Sequence, residues 1–519
     1  MKFIRKGMRH LTKITTHIIE TFMRNLLYIF LLLLLSVVSC MKDDDYTTSV
    51  SDQLTFSRDT INLDTIISGE PTRTFTFTIY NKAAKALRIT NVTLAKGAAS
   101  PFKVNVDGVS MENGSATDFE IARKDSMIVY LMANVPITNS DQPIDYADTL
   151  WFTTEAGVRQ KVVLKASGQD VKTLKGMRIS QNTTFAAQRP YRVMDSLVVE
   201  QGATLTLAAG TTLMFHSNAS LIVHGSLRID GSLQQPVVLR GDRLDDMFKY
   251  QPYDRTPGLW GGVVFTSTSY DNNINYADIH SGCFGLKVDS SDVERLKLTL
   301  QNSVVHTVTG HALDIRMSQV VVGNSQITNA GGDCIHMRGG NASFTHCTVG
   351  RFYVFSGGSG HALDFANYDG NVLLPITKLQ FQNSIVTGYQ NDEILGSSKN
   401  NVDDDTFYYV FSHCLLNTPE PMDYEGEGED AHFLSCLWDQ KASFAADVKD
   451  PVLRDKNFTP DFNLDYLLFG FELNAQSKAI GTADATISAQ TYPLDRLGRI
   501  RGAKPDMGCY QHQTVNDNK

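Results

Sequence analysis

The chain has 519 residues and a formal charge of −9, and it is too long for one ordinary domain. Residues 1–39 carry six Lys or Arg and one Glu, so the remainder stands near −14. That acidic balance excludes the basic stripe on which nucleic-acid binding depends. No phosphate loop, nucleophile elbow or metalloprotease helix motif occurs either.

The N-terminal stretch from Leu26 to Val38, LLYIFLLLLLSVV, is thirteen residues long, too short to cross a bilayer as a helix. Basic residues precede it and Ser39 follows it, the layout of a secretory signal over residues 1–39. Arg24 directly after Met23 suggests that translation starts at Met23. The run Val37-Val38-Ser39-Cys40 resembles a bacterial lipobox, in which the cysteine becomes the lipidated first residue of the mature chain. The next residues, Met41-Lys42-Asp43-Asp44-Asp45, resemble the tag that sends Bacteroidetes lipoproteins to the outer face of the outer membrane. A solvated acidic linker over residues 40–54 is the plainer alternative. The resemblance implies a lipid-anchored outer-membrane protein facing the cell exterior.

From residue 55 to 170 the sequence is all β. FTFTIYN, LRITNVTL, DSMIVYLMANV, DTLWFTT and QKVVLKASG are short alternating runs separated by turn residues, which predicts an immunoglobulin-like β-sandwich. The stretch TFTIYNKAAKALRITNVTL resembles the abnormal-spindle type of such modules, which implies a spacer or docking unit.

The character changes near Met177. LVVEQGATLTLAAGTTLMF and SLIVHGSLRIDGSLQQPVVLRG alternate strictly between glycines, and resemble the opening coils of right-handed parallel β-helix proteins. The pattern apolar, any residue, Asn or His, Ser or Cys then recurs at Asn302-Ser303, Asn324-Ser325, His346-Cys347, Asn383-Ser384 and His413-Cys414. The steps are 22, 22, 37 and 30 residues, and an apolar residue follows each Asn or His by three: Val305, Ile327, Val349, Val386 and Leu416. A 22-residue period with strand alternation is one turn of a β-helix, over residues 171–460. The recurring Asn suits an internal ladder of stacked amides.

The six cysteines after Cys40, namely Cys283, Cys334, Cys347, Cys414, Cys436 and Cys509, have no CxxC or framework spacing. They are expected as buried free thiols rather than metal ligands. The segments Asp461–Leu464, Ser477–Gly481, Asp495–Arg499 and Pro505–Gln511 resemble the closing part of Bacteroidetes β-helix proteins described as "choice-of-anchor Q". Residues 461–519 are thus expected as a cap over the open last coil.

The two words GHALDI, ending at Ile315, and GHALDF, ending at Phe365, lie on the same ruler, with Asp333-Cys334-Ile335-His336-Met337 between them. Leu313/Ile315, Ile335/Met337 and Leu363/Phe365 should face the core. The residues between them face out, and rungs are ~4.8 Å apart. This stacks Lys287, Asp314, His336 and Asp364 in one outer column, with Asp289, Arg316 and Arg338 in the next and His311, Asp333 and His361 at the turns. A charge ladder of this kind stabilises a sheet without any site. The catalytic alternative follows lyases of this fold, in which outer acidic residues hold Ca²⁺ and a basic residue takes a proton. Asp314 and Asp364 are then the weak metal candidates, and His336 or Arg338 the base. No other cofactor is expected. Tyr250, Tyr253 and Trp260 offer a sugar-stacking rim, although Trp260 by itself reads first as a core or cap residue. The acidic runs Asp403–Asp405 and Asp423–Asp430 read as solvated loops.

Two functions are compatible with this reading. One is a monomeric, non-catalytic surface lipoprotein whose β-helix binds a polysaccharide or another envelope protein. The other is a polysaccharide lyase or glycoside hydrolase working on the outer face. A lyase needs a charged groove over many coils, whereas this grid covers four rungs and fades at Asn391-Asp392-Glu393.

Overall fold

The computed structural model describes residues 23–24, 46–248, 251–355, 357–399, 405–421, 432–439, 457–458, 467 and 470–513. The Cys40 lipobox and acidic tag, Tyr250, Asp403, Asp404, the acidic run 423–430 and the segment 461–464 lie outside those residues. Among the described residues no helix is long and apolar enough to cross a membrane. The chain divides into two compact units, residues 1–62, 71–134 and 146–165 in one, and 63–70, 135–145 and 166–519 in the other.

The first unit is an antiparallel, immunoglobulin-like sandwich. One sheet orders the strands Leu54–Phe56, Phe75–Asn81, Ser126–Ala133, Phe102–Val106 and Val109–Ser110. The other includes Ile144–Thr154, Leu87–Leu94 and Ser115–Ile121. In Ser126–Ala133 the residues Met127, Val129, Leu131 and Ala133 are buried while their neighbours are exposed. This two-residue alternation is what one buried sheet face requires. Phe152 packs between the layers with its ring centroid 5.2 Å from Phe56 and 6.5 Å from Phe77.

The second unit is a right-handed parallel β-helix of three all-parallel sheets with 11, 9 and 10 strands. Parallel pairing begins at Lys172–Leu174, and each coil gives one strand to each sheet in turn. The 22-residue ruler is physical register: Leu300 pairs with Val322, Val322 with Phe344, Phe344 with Phe381 and Phe381 with Phe411. Stacking like on like forms one continuous core, in which Phe344, Phe381, Phe411 and Phe433 lie in a row of near-parallel rings.

The Asn/His positions are the corners between two sheets. Asn302, Asn324, His346, Asn383 and His413 all have φ of 50–51°, a left-handed conformation that Asn tolerates better than most residues. The ladder exists: Asn302 Nδ2 donates to Asn275 Oδ1 (2.8 Å) and Asn324 Nδ2 to Asn302 Oδ1 (2.7 Å). It is not internal, however. The Ser/Cys that follows each corner takes the inward position, where Cys347, Cys414 and Cys436 join the core, and the amides face outward. All the cysteines except Cys40 are described; they are unbridged and buried, except Cys283. Cys283 is exposed because it lies in the turn between the strands Ala277–His280 and Leu286–Val288.

The C-terminal segment reaches the last described coil, where Lys478 Nζ donates to the Trp438 carbonyl (3.2 Å), and it also covers a flank. Its described residues run along the flank of the helix and bury the amide ladder. Arg501 donates to Asn324 Oδ1 (2.8 Å), Tyr510 Oη to Gln326 Oε1 (2.6 Å), and the Gly508 amide to the Asn383 carbonyl (2.8 Å). A Cβ at Gly323 would stand 1.8 Å from the Tyr492 hydroxyl, so only glycine lets that ring approach. The reason is energetic: outward Ile385, Leu415 and Phe352 need a cover, and Phe471, Leu473, Met507 and Cys509 supply it.

Asn324→Ala should therefore cost about 1–3 kcal/mol, since it removes one of the three acceptors of the buried Arg501 guanidinium and forces a side-chain-bearing residue to keep φ near 50°. Asn324→Gly, which relieves only the backbone, should cost roughly 1 kcal/mol less in denaturant unfolding.

Candidate functional site

The outer face of the nine-stranded sheet carries the charged grid in the register expected. Lys287 pairs with Asp314, Asp314 with His336, His336 with Asp364, and Arg316 with Arg338. The residues between them, Leu313, Ile315, Ile335, Met337, Leu363 and Phe365, are buried. The fold thus converts a coil repeat into an ordered outer array.

Within the array the charges satisfy one another. Arg338 makes a two-pronged contact with Asp364 at 2.9 and 3.0 Å. The His336 Nδ1 to Asp314 Oδ1 distance is 2.8 Å, and Arg316 reaches out to Asp369. At the turns, His311 Nδ1 lies 3.1 Å from Asp333 Oδ2, and the Asp333 backbone N is 3.0 Å from the same nitrogen. The His361 amide donates to Asp333 Oδ1 at 2.7 Å. The His311 and His336 rings stack with centroids 4.2 Å apart and 13° between planes.

The titrations follow from these contacts. Burial pushes the Asp314 carboxyl upward, but the His336 hydrogen bond and the charges of His336, His311 and Lys287 outweigh it, leaving its pKa below the usual carboxylate value. Asp333 is likewise held low against its burial by His311 and the His361 amide. Burial would lower His311, yet Asp333 raises it on balance.

Some of the sequence-predicted residues fall elsewhere. Trp260 is no sugar platform: it is fully buried, stacked on Phe215 at 4.3 Å, with Nε1 donating to the His280 carbonyl at 2.8 Å. Tyr253 is partly buried, its ring covered by the Arg243 guanidinium at 4.1 Å. Asp289 lies just past the strand Leu286–Val288, 3.9 Å from Lys287 Nζ. Asp314 and Asp364 do not converge on a shared cation. His336 stands between them in register, and Asp364 gives both oxygens to Arg338.

Two features escaped the sequence reading. Lys297 is fully buried at a strand irregularity, with its ammonium donating to the carbonyls of Thr266 (2.6 Å) and Asp289 (2.8 Å). Burial pulls its pKa down to about 8. The second is a cluster on the outer face of the eleven-stranded sheet. There His280 lies between Asp278 Oδ1 and Asp254 Oδ1, both at 2.9 Å, and His306 Nε2 is 3.1 Å from Asp278 Oδ1. Arg240 Nη1 pairs with Asp254 at 2.7 Å. Asp254 belongs to the insertion between two strands of successive sheets, so this network ties that insertion to the coil. Extending the coil ruler to this sheet would have found it, since His280 pairs directly with His306. Burial opposes charge on His280, but the two carboxylates win and raise its pKa to about 9. Asp254 falls to about 2 against its own burial, chiefly through His280.

No family model and no curated protein matches the sequence. Among solved structures, a protein of unknown function from Porphyromonas gingivalis W83 aligns at 13% identity over 25% of this chain and 50% of that chain, with a TM-score of 0.17. The chain thus spans about half the length of that protein. The N-terminal domain of PorA aligns at 13% identity over 22% of this chain and 97% of that one, TM-score 0.17. A PapD-like domain of human CEP192 aligns at 14% identity over 25% and 92%, TM-score 0.16. Likenesses of this size carry no functional argument. The protein is all-β, with an immunoglobulin-like sandwich and a right-handed parallel β-helix.

The His280 network gives stability a defined pH dependence. Its folded pKa, about 9, lies above the usual histidine value of 6.5. Its contribution is therefore complete below pH 6.5 and lost as pH rises through 9, by on the order of 3 kcal/mol. Denaturant unfolding between pH 6 and 10 should show this loss in the wild type and a flatter profile in His280→Gln.

Proposed function

We propose that this chain is a lipid-anchored envelope protein whose β-helix serves as a non-catalytic binding module for an anionic polysaccharide. The sandwich acts as a spacer in this reading, and the lipobox-like Cys40 as the anchor. The observation that carries it is the outer array of Lys287, Arg316, His336 and Arg338, held in register over successive coils, with His311 and His361 at the turns beside it. Lys287 and Arg316 keep 49% and 43% of their side chains exposed, enough to exchange their present partners for the carboxylates of a sugar chain. A flat, rung-spaced face suits an extended polymer better than a small ligand, which prefers a concave site. Support for binding over elimination comes from Arg338 and Asp364. They neutralise each other in a two-pronged pair, which leaves neither poised as a base or a metal ligand.

The test is retention of the purified mature protein on immobilised uronic-acid and neutral polysaccharides, with unsaturated products and new reducing ends followed in parallel. Binding to uronic-acid polymers is expected without turnover, weakening at least about tenfold in Lys287→Ala/Arg316→Ala, or ~1.4 kcal/mol. Turnover abolished by Asp314→Ala or His336→Ala would replace this reading with that of a lyase or hydrolase.

A further inference from the structure

The residue after each corner of the β-helix points inward. Followed from rung to rung through the register of the strands that begin next to it, this position reads Ser303, Ser325, Cys347, Ser384, Cys414 and Cys436. Within the row only the last two members place cysteine over cysteine. Cys347 lies between two serines, and Cys334, in another row, lies between Ala312 and Ala362.

The stacking of Cys414 on Cys436 is fixed from both sides. Before the corner Phe411 and Ser412 pair with Phe433 and Leu434, and after it Leu415 and Leu416 pair with Leu437 and Trp438. The Leu437 amide donates to the Cys414 carbonyl at 2.8 Å, and the corner residues His413 and Ser435 share a φ of 51°. Two backbones of the same shape, one rung apart, aim their Cβ atoms in the same direction. Their Cα separation of ~4.8 Å falls inside the ~4.4–6.8 Å span of disulfide-bonded pairs. The thiols meet in the core, where Cys414 donates a hydrogen bond to Cys436 Sγ.

We infer that Cys414 and Cys436 form an intrachain disulfide when the chain meets a disulfide oxidant, a bond that staples two successive coils of the β-helix. The structure holds the reduced pair. The reaction is thiol–disulfide exchange with a small-molecule or protein disulfide. Cys436 keeps 8% of its surface exposed and Cys414 none, so Cys436 attacks first. The hydrogen bond from Cys414 favours its thiolate, holding the Cys436 pKa below the ordinary thiol value. One oxidant sulfur bonds to Cys436 Sγ and the other leaves as a thiolate. Cys414, deprotonated in turn, attacks Cys436 Sγ and expels the second oxidant sulfur. The oxidant thus gains two electrons, and the two thiol protons pass to its two leaving thiolates. Closing the loop over residues 415–435 restricts the unfolded chain and opposes fraying of the last described rungs. This inference does not rest on the polysaccharide reading, and thiols can be counted with no glycan present.

The experiment is thiol counting on residues 40–519 carrying Cys40→Ser and Cys283→Ser, which removes the anchor cysteine and the exposed thiol and leaves five cysteines. The protein is incubated to equilibrium in glutathione buffers from fully reduced to fully oxidised. It is also refolded from the reduced, denatured state in the same buffers, so that burial does not limit exchange. All five thiols should be free in reduced buffer, and two of them lost in oxidised buffer, with a mass lower by two hydrogens. Cleavage at Glu420 and Glu425, which lie between the two cysteines, should leave their peptides joined until reductant is added. Oxidised protein should melt about 3–5 °C above reduced protein, a gap absent in Cys414→Ser. That variant should keep all its thiols in oxidised buffer, whereas Cys347→Ser should still lose two. Cys436→Ser, at the less buried position, serves if Cys414→Ser does not fold. Five free thiols in both oxidised preparations would overturn the assignment, as would a bond joining any other pair in the folded protein or a lasting mixed disulfide with glutathione at Cys436.

Discussion

Parallel coils must hydrogen-bond residue over residue, and almost everything else in the second unit follows from that requirement. Every strand amide and carbonyl needs a partner one rung away, ~4.8 Å along the axis. Each coil must therefore present its residues in the same order as its neighbour. An inward Leu, Ile or Phe then lies over another apolar residue, and a corner that bends one coil bends all of them. The five corner residues with φ of 50–51° are this rule written in backbone geometry. Where the chain needs extra length, as between His346 and Asn383, the surplus is looped out and register resumes at the next strand.

The same rule governs charge. A charged outward residue has another outward residue directly above it, so unlike neighbours must alternate or the sheet is strained. The column of Lys287, Asp314, His336 and Asp364 obeys this, and so does the contact of His280 and His306 with Asp278. Yet equal composition gives unequal chemistry. His280 sits between two carboxylates and holds its protons. His311 and His336 each have one carboxylate near one nitrogen, and the other nitrogen faces no protein group among the described residues. One additional acidic side chain, Asp254 from an insertion, separates a closed network from an open one.

The flank shows how the repeat is completed by something that does not repeat. Asn302, Asn324 and Asn383 satisfy part of their hydrogen-bonding capacity within the ladder, and the C-terminal segment supplies more through Arg501, Leu494 and Asp484. Its apolar residues cover Ile385 and Leu415. Without that cover those outward side chains would face water. An edge-capping role and a flank-covering role use the same residue types, and only long-range packing tells them apart.

Local pattern made a large share of this legible. The two-residue alternation, the 22-residue spacing and the Asn/His-Ser/Cys corners prescribe a sandwich and a β-helix. They also place Asp314, His336 and Asp364 in one column, because stacking register is arithmetic on the sequence. Arithmetic cannot say which partner a charged side chain chooses. Whether Asp364 turns to Arg338 or to a cation, and whether Trp260 stacks on Phe215 or faces solvent, depends on side-chain packing across rungs and insertions. The sequence by itself determined the fold and the outward rows, since these rest on period and backbone hydrogen bonding. Only the tertiary structure decided the lateral course of the C-terminal segment, the buried Lys297 and the division between a closed and an open His–Asp cluster. Those outcomes turn on contacts between residues 20 to more than 150 positions apart, and such contacts leave no local trace in the chain.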